Sequence, residues 1–189
     1  MKPSVQSVLI TESQIEKRVH ELGNQISSDY DESDLVLVCV LKGAILFFAD
    51  LIRTLAVPAR YEFVQLASYH NDTKSSRVQM IQGLYQDLFR ADVLIVEDIV
   101  DTGMTLDLLL NHIESFEPTS VKVCSLLDKP DRREVPVTID YLGFEIPDTF
   151  VVGYGLDYAQ HYRNLPYIGV LDGDSVALAL DTDELGRQE

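Results

Sequence analysis

Three acidic side chains and a short loop lie close together near the middle of the chain. Glu97 and Asp98 follow an apolar run, and Asp101 comes three residues later. A loop rich in small and hydroxyl-bearing residues comes next: Thr102, Gly103, Met104 and Thr105. Paired carboxylates suit sugar hydroxyls or a magnesium ion, whereas backbone N–H groups and hydroxyls suit a phosphate. Together these groups predict a site for a sugar phosphate such as ribose 5-phosphate.

The elements around this stretch would place the loop where anions bind. The apolar run over 93–96 is typical of a buried parallel strand. Beyond the loop, four apolar residues repeat at helical spacing: Leu106, Leu109, Leu110 and Ile113. The loop would then lie between a strand end and a helix N-terminus, where the helix dipole favours a phosphate. The GxxxxGK[ST] spacing of a triphosphate loop is absent, so we expect a monophosphate. For Glu97 and Asp98 taken alone, a solvated strand end is the alternative.

A second apolar run, at 35–41, predicts another buried strand that ends at Lys42 and Gly43. A helix at about 44–55 follows. Gly43 would let the backbone approach a ligand closely, and Lys42 would add positive charge at the same edge of the sheet. An ordinary turn with an exposed lysine explains the pattern equally well.

The remaining pattern alternates strands with helices. Four further apolar segments predict strands, at 61–66, 120–127, 137–144 and 167–171. A helix over 11–28 begins with the capping pattern Thr11-Glu12-Ser13-Gln14. The alternation predicts an α/β fold with a central parallel sheet flanked by helices. The polar stretch at 68–83 is typical of a lid or of disorder, and Arg132 and Arg133 are typical of a solvated loop.

Length, composition and charge narrow the class of protein. A chain of 189 residues favours a single domain over 1–189. The net charge of −16 opposes binding to nucleic acid or to an anionic membrane surface. No apolar run reaches the roughly 20 residues of a membrane span, and no signal peptide is recognisable. Cys39 and Cys124 lie in apolar runs, which suits the reducing cytoplasm.

The stretch at 93–106 resembles the signature of the type I phosphoribosyltransferases, which bind phosphoribosyl pyrophosphate. Its form, Val-Glu-Asp-Ile-Val-Asp-Thr-Gly, is most similar to that of the hypoxanthine-guanine branch, and further matches extend from about Leu35 to Leu171. The resemblance implies a parallel sheet with a small hood over its edge, formed by parts of the N-terminal helix and the later strands. It also implies Mg²⁺-dependent transfer of a phosphoribosyl group to a 6-oxopurine. An acidic tail at 172–189 lies beyond the matches.

The resemblance implies roles for residues that contact the sugar donor. The 5′-phosphate would bind Thr102, Gly103, Met104 and Thr105, and the pyrophosphate would bind Leu41, Lys42, Gly43 and Arg163. Glu97 and Asp98 would hold the ribose hydroxyls and, with Asp157, the Mg²⁺ ion. Asp101 would accept the proton from the purine N7.

The resemblance also implies a purine site and a lid. Lys129 would donate to the 6-oxo group, Phe150 would stack on the base, and the backbone of Val151 would hydrogen-bond it, with Asp157 adjacent. Taken without the resemblance, Phe150 is a core aromatic residue. A mobile lid would begin at Ser68 and Tyr69, although His70 departs from the glycine common in relatives.

Three alternatives share part of this pattern. A phosphoribosyltransferase for another base, such as xanthine, would keep the central motif, whereas Lys129 and Phe150 argue against adenine. A regulatory protein that senses phosphoribosyl pyrophosphate would need a nucleic-acid surface, which the net charge disfavours. A flavodoxin-like or receiver domain has no use for the stretch at 97–105. Relatives form homodimers or homotetramers, so the resemblance implies a homo-oligomer.

Overall fold

The structure, a computed structural model, describes residues 4–69, 77–82, 84 and 87–172. The helices are α1 Glu12–Asp29, α2 Ile45–Thr54 and α3 Met104–Glu114, with a 3-10 turn at Pro130–Arg132. The strands are β1 Val5–Ile10, β2 Leu35–Leu41, β3 Ala59–Tyr69, β4 Arg77–Gln82, β5 Asp92–Val100, β6 Ser120–Asp128, β7 Tyr141–Glu145, β8 Val151–Val152 and β9 Ile168–Leu171. They form two compact units: Lys17–Asp148, and the described residues before and after that range.

The larger unit contains a six-stranded sheet in the order β4-β3-β2-β5-β6-β7. All neighbouring pairs are parallel except β3 and β4, which are antiparallel. In the central part of the sheet, Val96 of β5 is in register with Cys39 of β2 and with Cys124 of β6. Parallel pairing places the carboxyl ends of these strands at one edge of the sheet. The predicted α/β fold with a central parallel sheet is confirmed.

The smaller unit contains an antiparallel sheet in the order β1-β9-β8. In this sheet, Val8 pairs with Gly169, which also pairs with Val152. Val152 and Leu171 are buried in its core. Strand β1 was not predicted, because its six residues, VQSVLI, place polar side chains among the apolar ones. This extra antiparallel sheet corresponds to the hood of the predicted fold class.

The predicted capping pattern begins helix α1. The backbone N–H of Thr11 donates to Gln14 Oε1 at 2.9 Å, and the N–H of Gln14 donates to Thr11 Oγ1 at 3.4 Å. This reciprocal pair satisfies two N–H groups that the helix itself cannot satisfy. In the part of the chain that the structure describes, no helix combines the length and the apolar character needed to cross a membrane.

Two predicted segments differ from the structure. The loop predicted over 68–83 is partly a hairpin, because β3 extends to Tyr69 and pairs there with Arg77 of β4. Val78 and Met80 alternate with polar residues, a strand pattern that the analysis overlooked. Ser68 and Tyr69 are therefore strand residues, while 70–76 and 83 lie outside the described residues. The movement of a lid stays a prediction.

The strand predicted over 137–144 begins only at Tyr141. Asp140 supplies the reason, because its carboxylate accepts the N–H of Val123 at 2.8 Å. A side chain therefore occupies a donor of β6 that a longer β7 would have needed.

Candidate active site

The end of β5 carries most of the residues predicted to do chemistry. Glu97 and Asp98 lie inside the last four residues of β5 rather than after it, and Asp101 is the first residue beyond Val100. A cavity of about 70 Å³ lies at this strand end. Its lining comprises Glu97, Ile99, Val100, Asp101, Thr102, Gly103, Thr105 and Leu106. The structure therefore brings one carboxylate of the acid pair, the predicted base and the predicted phosphate loop to one cavity.

Glu97 is a buried carboxyl group with unused hydrogen-bonding capacity. Only 7% of the residue is exposed. Its Oε2 atom is buried and has no hydrogen-bond partner among the described residues. Burial raises the pKa of Glu97 well above its usual range, and the neighbouring charge of Asp98 raises it further. A solvated strand end is therefore wrong for Glu97, and a hydroxyl or cation could satisfy the buried oxygen.

Gly43 and Asp98 are in direct contact at the ends of β2 and β5. A Cβ atom added to Gly43 would lie 1.7 Å from Asp98 Oδ2, so only glycine leaves room for this carboxylate. The preceding peptide, between Leu41 and Lys42, is cis, and the Lys42 side chain is exposed. The predicted pyrophosphate loop and the second acid of the pair thus lie side by side in the larger unit.

The predicted phosphate loop leads into α3 through a left-handed glycine. Gly103 has φ +88° and precedes Met104, the first residue of the helix. Thr102 Oγ1 accepts the N–H of Met104 at 3.4 Å, so the loop folds back on itself. Leu106 and Leu109 are buried, which fixes the helix against the sheet. The first N–H groups of any α-helix lack intrahelical partners, so this loop presents donors suited to a phosphate.

Asp101, the predicted general base, faces an arginine. Arg132 Nε lies 3.1 Å from Asp101 Oδ1, which makes an ion pair. That oxygen is buried and accepts no hydrogen bond from the described residues. Arg132 Nη1 also lies 3.7 Å from Asp148 Oδ1. The sequence analysis missed Asp148, because a lone acid in a turn carries no signal of its partner.

Arg132 and Arg133 are not simply residues of a solvated loop. The Arg133 side chain is only 17% exposed and forms an ion pair with Asp128. Arg132 is about half exposed, but it contacts the two acids described above. The prediction of a solvated loop is wrong for Arg133. A run of charged residues in the sequence does not show which of their side chains become buried in the fold.

Lys129 is buried in the same unit, with 6% of the residue exposed. Its backbone N–H donates to the carbonyl of Val100 at 3.0 Å, which places it beside the end of β5. Burial lowers the pKa of Lys129, while the nearby charges of Asp101 and Asp148 oppose that change. A buried ammonium group is suited to bind a polar acceptor on a ligand.

In the smaller unit, Phe150 and Val151 differ in exposure. Phe150 is 44% exposed and lies edge-on to Tyr158 with ring centroids 5.7 Å apart. Val151 is buried in β8. The reading of Phe150 as a core aromatic is therefore wrong, and its exposed ring face is available for stacking.

Asp157 and Arg163 form an ion pair within the smaller unit. Arg163 Nη2 lies 2.6 Å from Asp157 Oδ1, and Arg163 Nη1 donates to the carbonyl of Gly155 at 2.6 Å. The N–H of Gln160 donates to Asp157 Oδ2 at 2.8 Å. The left-handed turn that holds these groups needs glycine, because Gly153 and Gly155 both have φ +101°. The sequence analysis did not anticipate that these two residues pair.

The comparisons with known proteins agree with this geometry. A family model described as the phosphoribosyl transferase domain matches residues 7–159. The hypoxanthine-guanine phosphoribosyltransferase of Mycobacterium tuberculosis is 50% identical over 175 residues, which cover 89% of this chain and 87% of that protein. The hypoxanthine phosphoribosyltransferase of Escherichia coli is 48% identical over 172 residues, which cover 89% and 96%.

Solved structures give the same result. The hypoxanthine phosphoribosyltransferase of Staphylococcus aureus superimposes with a TM-score of 0.86 at 43% identity, over 90% of this chain and 93% of that one. The Trypanosoma cruzi enzyme, studied for the role of its C-terminal region in oligomeric state, has a TM-score of 0.88 at 40% identity, over 94% and 96%. The chain therefore belongs to the phosphoribosyltransferase family. Within that family it falls in the branch of the hypoxanthine and hypoxanthine-guanine phosphoribosyltransferases, as the sequence motifs indicated.

The burial of Glu97 predicts a pH-dependent change in stability. When folding raises the pKa of a carboxyl group, the free energy of unfolding falls as the pH rises from the unfolded pKa to the folded pKa. Glu97→Gln removes this loss, so the variant should be more stable than the wild type, by a margin that widens by up to about 1.4 kcal/mol per pH unit as the pH rises above the unfolded pKa of glutamate.

Urea unfolding in metal-free buffer at several pH values measures this margin. Glu16→Gln, which makes the same change at an exposed position of α1, is the control and should follow the wild type. If the difference in unfolding free energy between Glu97→Gln and the wild type does not change with pH, burial does not raise the pKa of Glu97.

Proposed function

We propose that the chain transfers the 5-phosphoribosyl group from phosphoribosyl pyrophosphate to hypoxanthine or guanine, with release of pyrophosphate. This reaction makes IMP or GMP and serves purine salvage. The observation that carries the proposal is the cavity at the end of β5, where Glu97, Asp101 and the loop from Thr102 to Thr105 meet. Membership of the branch whose relatives are named hypoxanthine-guanine and hypoxanthine phosphoribosyltransferases supports it.

In this proposal, the sugar is held at two places away from the bond that breaks. Thr102, Gly103, Met104 and Thr105 bind the 5′-phosphate, and that binding energy orients C1′ toward the base. Glu97 and Asp98 bind the ribose hydroxyls. Positive charge develops on the ribose ring as the C1′–O bond breaks, and the two carboxylates favour it.

We also propose that the donor binds with Mg²⁺. Among the described residues, no group of three or more His, Cys, Asp or Glu side chains could hold a metal on its own. Magnesium sites built from one or two carboxylates and substrate phosphates need no such cluster. The Oε2 atom of Glu97 is buried and has no partner in the described part of the chain, so it fits a site of that kind together with the Asp98 carboxylate. Asp157 is the third proposed contact. The ion would neutralise charge on the departing pyrophosphate.

The proposed contacts of the leaving group are the turn from Leu41 to Gly43 and the side chain of Arg163. In the larger unit, the turn from Leu41 to Gly43 offers backbone N–H groups and the exposed ammonium of Lys42. In the smaller unit, Arg163 offers a guanidinium, whose present partners are Asp157, the Gly155 carbonyl and Gln160 Oε1. Each group would stabilise the negative charge that leaves with the pyrophosphate.

The proposed purine contacts explain the choice of base. Lys129 donates to the 6-oxo group, Phe150 stacks on the ring, and the Val151 backbone hydrogen-bonds the base edge. Asp101 takes the proton from N7 as N9 bonds to C1′. The rival reading, a sensor of phosphoribosyl pyrophosphate, would bind the donor but form no nucleotide, so a turnover assay separates the two.

The proposed assembly and location follow from the family. We propose a homodimer or homotetramer that acts in the cytoplasm on these small molecules, without nucleic acid or membrane partners. Four large apolar side chains on α2 and β3 are partly exposed and suit a contact between copies: Ile45, Leu46, Tyr61 and Phe63. Sedimentation equilibrium tests the assembly, and a monomer at assay concentration would contradict it.

The first test of function is the choice of base. A buried ammonium donates to a 6-oxo group but cannot accept from the 6-amino group of adenine, and such a mismatch can discriminate on the order of 10⁴-fold. We expect turnover of hypoxanthine or guanine with Mg²⁺ and almost none of adenine, measured by nucleotide formation.

The variant Lys129→Met should lose most of this turnover, whereas Lys17→Met, whose side chain is 80% exposed, should retain it. Comparable rates with adenine would overturn the role of Lys129. Efficient turnover of xanthine alone would favour the alternative enzyme for another base.

The second test isolates the proton transfer. Asp101→Asn keeps the size of the side chain but removes the base, and loss of a positioned base typically lowers the rate by about 10²–10⁴-fold. Binding of phosphoribosyl pyrophosphate should survive, because the acid pair and the phosphate loop are unchanged.

Single-turnover rates and calorimetry measure these two quantities separately. Asp131→Asn, at an exposed position on the neighbouring segment, is the matched control and should react at the wild-type rate. A turnover of Asp101→Asn close to the wild-type value at neutral pH would mean that another group accepts the proton.

A further inference from the structure

We propose that Arg132 and Arg133 are positioning residues with separate tasks. Arg133 holds the backbone of the phosphate loop, and Arg132 holds the carboxylate of Asp101. This inference rests on the proposed function, because it assigns the two arginines to the binding step and the proton-transfer step of that reaction. It concerns residues that contact the loop and the base but do not themselves contact substrate.

The segment from Arg133 to Val135 is bonded directly to the backbone of the loop. The N–H groups of Glu134 and Val135 both donate to the carbonyl of Thr102, each at 2.9 Å. Arg133 Nε donates to the carbonyl of Asp101 at 3.1 Å. Three donors from one short segment therefore fix the two carbonyls that precede the left-handed glycine of the loop.

The other end of the Arg133 guanidinium is anchored in the sheet. Its Nη2 forms an ion pair with Asp128, the last residue of β6. The two side chains are only 17% and 15% exposed, so little solvent competes with the pair. Because β6 is paired along its length with β5, Arg133 connects the loop to the rigid sheet rather than to another loop.

The glycine of the loop packs against the same segment. A Cβ atom added to Gly103 would lie 2.5 Å from the carbonyl oxygen of Val135 and 3.1 Å from Arg133 Cδ. Gly103 therefore has no room for a side chain while this segment stays in place. Arg133 thus controls the direction of the backbone N–H groups that are proposed to bind the 5′-phosphate.

Arg132 contacts the side chain of Asp101 instead of the loop backbone. Its Nε lies 3.1 Å from the buried Oδ1, while Nη1 lies 3.7 Å from Asp148. Asp148 thereby limits the positions of the guanidinium, which in turn limits the rotation of the Asp101 carboxylate. More than a third of the Asp101 side chain is still exposed, at 37%, so the contact orients the carboxylate without covering it.

Substitution of each arginine should change a different kinetic constant. Arg133→Met keeps an unbranched side chain against Gly103 but removes the polar head, so the KM for phosphoribosyl pyrophosphate should rise about tenfold with kcat nearly unchanged. Arg132→Met leaves the loop intact but removes the group that orients the Asp101 carboxylate. The value of kcat should therefore fall about 10- to 100-fold, with the KM for phosphoribosyl pyrophosphate nearly unchanged. A loss of folded protein alone would not raise KM.

Matched variants strengthen the test. Arg53→Met makes the same change at a side chain that is 81% exposed on α2, and it should leave both constants unchanged. Arg132→Lys should restore part of kcat, because an ammonium can still reach Asp101. If Arg133→Met leaves Asp128 unpaired and does not fold, the double variant Arg133→Met with Asp128→Asn replaces it, since that pair removes both charges.

Calorimetry with ribose 5-phosphate provides a readout that does not need turnover. The Arg133 variant should bind it about tenfold more weakly, and the Arg132 variant should bind it like the wild type. Equal effects of the two substitutions on kcat, KM and binding, or no effect of either, would overturn the inference. Absence of 6-oxopurine turnover in the wild type would instead refute the proposed function, while the binding result would still decide the role of Arg133.

Discussion

The parallel pairing of β5 with β2 and β6 is the constraint on which the rest of the candidate site depends. Because these strands run in the same direction, the acids of β5, the turn at Gly43 and the backbone around Lys129 lie at one edge of the sheet. The central residues of β2 and β5 are buried, and backbone pairing holds β5 in register with both neighbours. The loop from Thr102 to Thr105 is anchored by β5 on one side and by α3 on the other.

The packed sheet holds ionisable groups in buried positions that folding alone would not favour. Glu97 is buried with one oxygen that has no hydrogen-bond partner among the described residues, and Lys129 is buried with its pKa lowered. Burial opposes the charged form of both groups, and both are suited to a ligand that supplies a polar partner. The ion pairs around Asp101 and Asp128 have a different purpose, because they join the loop and the base to the frame of the sheet.

Patterns along the chain predicted the features that depend on local order. The apolar runs at 35–41 and 93–96 became β2 and part of β5, and the capping pattern at Thr11 became the start of α1. Features that depend on distant partners were missed. Arg133 looks like any surface charge until Asp128 and the Asp101 carbonyl are placed beside it. In the same way, β1 is recognisable only through its pairing with β9.

A crystal structure of the protein with IMP tests the central claim most directly, because one ligand reports on the phosphate loop, the acid pair and the purine contacts together. The account predicts the 5′-phosphate within hydrogen-bonding distance of backbone N–H groups between Thr102 and Thr105. It also predicts the ribose hydroxyls at Glu97 and Asp98, and the 6-oxo group at Lys129 Nζ. A nucleotide bound with its phosphate away from this loop would contradict the account.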